Sequence, residues 1–98
     1  MNAKIHSVDL SMSLEEQNLM VKMIEEYLAD GKVFDGSIET KLLMDVLHQI
    51  KTNAITILVN NYCLKQMVEA ARKYFVKTQD KEAKAMLTDL CVHEDWTR

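Results

Sequence analysis

Between Leu43 and Phe75 apolar residues recur at steps of three and four: Leu43, Leu47, Ile50, Ala54, Ile57, Leu64, Val68, Ala71 and Phe75. That spacing describes one face of a helix. The stretch Ile38–Lys77 contains neither Gly nor Pro. Written as a heptad with Leu43 at a, it keeps its phase throughout, and Asn61 is the one polar residue on the seam. The pattern predicts a single very long central helix over Ile38–Lys77. Two places compete as breaks, near Asn53 and near Asn60, because Asn and the β-branched run Ile55-Thr56-Ile57 are modest helix formers. Continuity is favoured by the constant phase. It is also favoured by the lack of any Asp or Glu between Asp45 and Glu69, where a new helix would welcome acids in its first turn.

The middle of this stretch departs from the rule that one face is polar. Ile55, Leu58, Val59 and Tyr62 lie on the side that carries Lys41, Asp45 and His48 before it and Lys65, Glu69, Arg72 and Lys73 after it. A helix apolar on two sides is covered by something. One continuous helix of this length would be about 60 Å long, against a radius of gyration of ~13 Å for a compact chain of this size. Leftover length and a two-sided apolar middle together predict a homodimer crossing near Leu58. Its interface would hold Ile55, Leu58, Val59 and Tyr62, with Asn61 setting register.

The flanking segments read more simply. Val8-Asp9-Leu10-Ser11-Met12 alternates, so residues 1–12 form an extended arm that lies along its own core or reaches a neighbour. Ser13 and Glu16 make a capping box for a helix over Leu14–Asp30, with Gly31 as its stop. Gly31 to Ser37 is a loop whose Val33 and Phe34 are expected to plug a helix end, and Ser37 caps the central helix. Asp80 caps a short last helix, Lys81–Val92, followed by a polar tail over residues 93–98 around Trp96. Pro is absent and Gly occurs twice, which favours helices over a turn-rich β fold. The expected fold is therefore all-α, one helical domain over residues 1–98.

Charge adds an asymmetry. Residues 1–50 carry four bases and nine acids, residues 51–98 eight bases and six acids, within a net charge of −3. Acidic and basic segments packing on one another account for this. No apolar run approaches the ~20 residues of a membrane span. The start lacks the apolar core of a secretion signal, so Cys63 and Cys91 are expected reduced in a cytoplasm.

Candidate chemistry is sparse. His6, His48, His93, Cys63 and Cys91 lack the paired spacings of a zinc site, and no cofactor is implied. The adjacent acids Glu15/Glu16, Glu25/Glu26 and Glu94/Asp95 point different ways on a helix. The loop with two glycines lacks the Lys-Ser/Thr pair of a phosphate loop. Lys65, Arg72, Lys73 and Lys77 form a basic stripe that suits an anionic small molecule or nucleic acid, although without interleaved aromatic residues. No stretch carries a motif specific enough to name a family. The expectation is a non-enzymatic, cytoplasmic, oligomeric regulator, adaptor or inhibitor that binds itself and another protein. An oligomeric anion binder acting through the basic stripe is the alternative.

Overall fold

The structure is a computed structural model that describes residues 7–30, 37–52 and 56–96. It is mostly helical, with four helices and a two-stranded sheet. In chain order the elements are β1 (Ser7–Ser11), α1 (Leu14–Ala29), α2 (Ile38–Lys51), β2 (Thr56–Asn60), α3 (Asn61–Thr78) and α4 (Lys81–Trp96).

The long central helix predicted over Ile38–Lys77 is not formed: α2 ends at Lys51, β2 intervenes, and α3 begins at Asn61. The cause lies in residues 56–60, whose apolar positions also obey a period of two. Ile57 and Val59 are buried while Thr56 and Leu58 are exposed, which is the alternation of a half-buried strand. The β-branched residues Thr56, Ile57 and Val59 suit that conformation. The arm supplies the partner strand. β1 pairs antiparallel with β2, Val8 facing Val59 and Leu10 facing Ile57, so the arm lies on its own core, with Leu10 only 3% exposed. The fold is thus helical with a small β ribbon rather than all-α. Folding back also resolves the length problem, since the longest extent is 39 Å where a continuous helix would need ~60 Å.

Each described helix start has a visible cause. The Ser13 hydroxyl accepts the Glu16 amide at 3.1 Å and the Glu16 carboxylate accepts the Ser13 amide at 2.9 Å, completing the capping box. Ser37 Oγ accepts the Thr40 amide. Asn60 Oδ1 accepts the Cys63 amide at 2.7 Å, so α3 starts on an uncharged cap with no acid in its first turn. Asp80 Oδ1 accepts the Glu82 amide to open α4. That last helix runs to Trp96, four residues beyond the predicted Val92, taking in most of the expected tail. Between α3 and α4 the turn is only Gln79-Asp80, and Gln79 takes the left-handed conformation at φ 56° that glycine ordinarily occupies.

The core is one cluster centred on α3. Met67, Leu64, Val68 and Ala71 of α3 meet Met20, Met23 and Ile24 of α1, Leu43 and Val46 of α2, and Ala83, Met86 and Leu90 of α4. Four of the seven methionines, Met20, Met23, Met67 and Met86, are buried there, as flexible core filler. Expectations for Val33, Phe34 and a break at Asn53 lie outside the described residues, as do those for the Trp96 side chain.

Candidate functional site

The most constrained surface lies where β2 meets α2 and α3. Gln49, in the last full turn of α2, turns its amide onto the outer edge of β2. Its Oε1 accepts the Leu58 amide at 2.8 Å, and its Nε2 donates to the Leu58 carbonyl at 2.8 Å. The second Nε2 hydrogen goes to Asp45 Oδ2 at 2.9 Å. All three bonds require one orientation of the amide, because flipping it would set donor against donor. Leu58 therefore has its backbone held from the side, and its side chain stands 54% exposed. Just beyond the ribbon Tyr62, in the first turn of α3, is 42% exposed. Next in the chain, Cys63 is buried and directs its thiol at the Leu42 carbonyl, 3.4 Å away. Burial, helped by the nearby Asp45 carboxylate, pushes that thiol up to about 12, so it stays protonated and unreactive at neutral pH. Cys91 is also a free thiol.

Of the residues expected at a dimer interface, Leu58 and Tyr62 are both exposed. Val59 does not. It is 4% exposed and faces Val8 across the ribbon, because a strand turns neighbouring side chains to opposite faces. Asn61 is half-buried at the first position of α3, and Ile55 lies outside the described residues. Sequence reading missed Gln49 altogether; its only signal is a polar residue bordering the apolar face of α2.

The basic stripe sits elsewhere, on a groove between α1 and α3 of about 390 Å³. Met23, Tyr27, Ala70 and Tyr74 line it together with Arg72, Lys73 and Lys77, whereas Lys65 is not among its lining residues. Each of the three cations has a partner. Lys77 pairs with Glu26 at 3.1 Å, Arg72 pairs with Glu69, and Lys73 lies over the Tyr27 ring at 5.3 Å from its centroid. Burial, then the carboxylates of Glu69 and Glu39, raise the pKa of Tyr27. The groove is thus mixed in charge, which explains the sequence asymmetry locally: Glu26 of the acidic half meets Lys77 of the basic half.

Among the described residues no three His, Cys, Asp or Glu side chains come together as metal ligands, and no helix is long and apolar enough to cross a membrane. Comparison with known protein families, with curated proteins and with solved structures finds no match.

Proposed function

We propose that this chain is a non-enzymatic, cytoplasmic protein-binding module, an oligomeric regulator, adaptor or inhibitor, that uses the surface around Leu58 and Tyr62. The observation that carries this reading is that two of the exposed large apolar side chains, Leu58 and Tyr62, stand on backbone that is itself fixed. Leu58 is held by Gln49, and Tyr62 stands in the capped first turn of α3. Rigid apolar anchors suit binding because little side-chain and loop entropy is lost when they are covered. A second copy of the chain is the first partner proposed, with another protein as the regulated target. The alternative, an anion binder working through Lys65, Arg72, Lys73 and Lys77, is less favoured. Acids answer Arg72 and Lys77, and Lys65 lies away from the groove.

The test is affinity purification of the tagged chain from its native host, followed by mass spectrometry, with wild type compared to Leu58→Asp and to Lys65→Asp. The reading expects a co-purifying protein that Leu58→Asp loses and Lys65→Asp retains. A partner retained by Leu58→Asp and lost by Lys65→Asp would transfer the function to the basic stripe.

A further inference from the structure

β2 has two edges, and only one of them is taken by β1. In an antiparallel pair, residues alternate between those bonding inward to the partner strand and those directing N–H and C=O outward. Leu58 gives both its groups to Gln49, so it is an outward residue, and by the same alternation its neighbours Ile57 and Val59, which stand opposite Leu10 and Val8 in the register, direct their groups inward. The outward positions are then Thr56, Leu58 and Asn60. Asn60 is already the cap of α3 and Thr56 ends the strand. Leu58 is therefore the one mid-strand position at which a third strand could form a reciprocal pair of bonds. A primary amide side chain has the donor and acceptor of a peptide group, and Gln49 places both there.

We propose that Gln49 is an edge guard: its amide occupies the place of a third strand and keeps a second copy of this chain from adding to β2. An open strand edge is a template for pairing with another chain. A second copy is the occupant because every copy brings its own five-residue β1, whose apolar–polar alternation already matches β2 in register. Asp45 holds the guard in place by taking the second amide hydrogen, which stops Gln49 from rotating into water. This inference shares the Gln49–Leu58 bonds with the proposed partner surface but makes a different claim. It concerns the backbone edge of β2, whereas that surface is made of side chains.

The test reads amide exchange and mass on the full chain. In the wild type the Leu58 amide should exchange at least about tenfold more slowly than an unstructured amide. In Gln49→Ala it should accelerate by a similar factor, while the Val59 amide, bonded to β1, changes less. Gln49→Ala should also form species larger than the wild type that grow with concentration and gain β signal in circular dichroism. The Gln49→Leu variant should do the same, since it keeps the stem but lacks the amide. An unprotected Leu58 amide in the wild type would overturn the proposal even if both variants failed to fold. Folded variants with wild-type mass at every concentration would overturn it as well.

Discussion

Val8 and Val59 stand opposite each other in the antiparallel ladder, although α1 and α2 separate them in the chain. That pairing turns Val59 into the core and Leu58 outward. A strand over residues 56–60 makes the consequences of truncation alternate. Ile57→Ala should cost ~2–5 kcal/mol, the usual range for a buried Ile, and Thr56→Ala less than ~0.5 kcal/mol. Urea unfolding followed by circular dichroism measures both. Equal losses at the two positions would contradict the strand.

The ends of the elements were more legible than the middle. Ser13 and Glu16 declare a helix start locally, and the structure closes that capping box. A break near Asn53 or Asn60 was open but disfavoured, and the strand between Lys51 and Asn61 was hidden, because Ile57 and Leu64 satisfy a helical seam and Ile57 and Val59 satisfy a strand. The two periods coincide over five residues. Only the arm decides between them, and pairing of residues 7–11 with residues 56–60 is a non-local event that no local pattern encodes. The start of α3 coincides with the candidate break near Asn60; it was disfavoured because the absence of acids counted against it, yet Asn60 caps it through its side-chain oxygen. At the site, Leu58 and Tyr62 were legible as apolar residues on the wrong face. Gln49 was not, since its role depends on a strand that the periodicity concealed.

The caps give a pair of opposite expectations. Asn60→Ala should destabilise by ~0.5–2 kcal/mol, the usual worth of a capping oxygen. Gln79→Gly should stabilise by up to ~1 kcal/mol, because Gln79 is held at φ 56°, where a Cβ is unfavourable. Chemical denaturation of each variant settles the signs. A stabilising Asn60→Ala would contradict the helix start.

Cys63 sets an alkaline limit. Its folded thiol lies at about 12 against an ordinary value of 9.0, so the folded state holds this proton where the unfolded chain releases it. The contribution is complete below pH ~9 and is lost as pH rises from ~9 toward ~12. Stability should fall over that window in the wild type and fall less in Cys63→Ala. In the native state Cys91 should react with a thiol reagent at pH 8 well before Cys63. Faster labelling of Cys63 would contradict its burial.

The mixed groove predicts weak anion binding. Exposed ion pairs such as Lys77–Glu26 are worth about 0–1 kcal/mol, so Lys77→Ala should leave stability nearly unchanged. Removing both acids should free the cations. Glu26→Gln combined with Glu69→Gln should be retained on a phosphate-bearing resin to higher salt than the wild type. Equal retention would show that these acids do not mask the stripe.

Leu58 and Tyr62 are proposed to be covered first by a second copy of the chain. Light scattering coupled to size exclusion, run over a range of concentrations with circular dichroism on each peak, tests it most directly. The wild type is expected at about twice 11.3 kDa. Leu58→Asp should run at the monomer mass with its helical signal intact, because Leu58 is outside the core, and Lys65→Asp should keep the wild-type mass. A wild type that stays at 11.3 kDa at the highest concentration would contradict it.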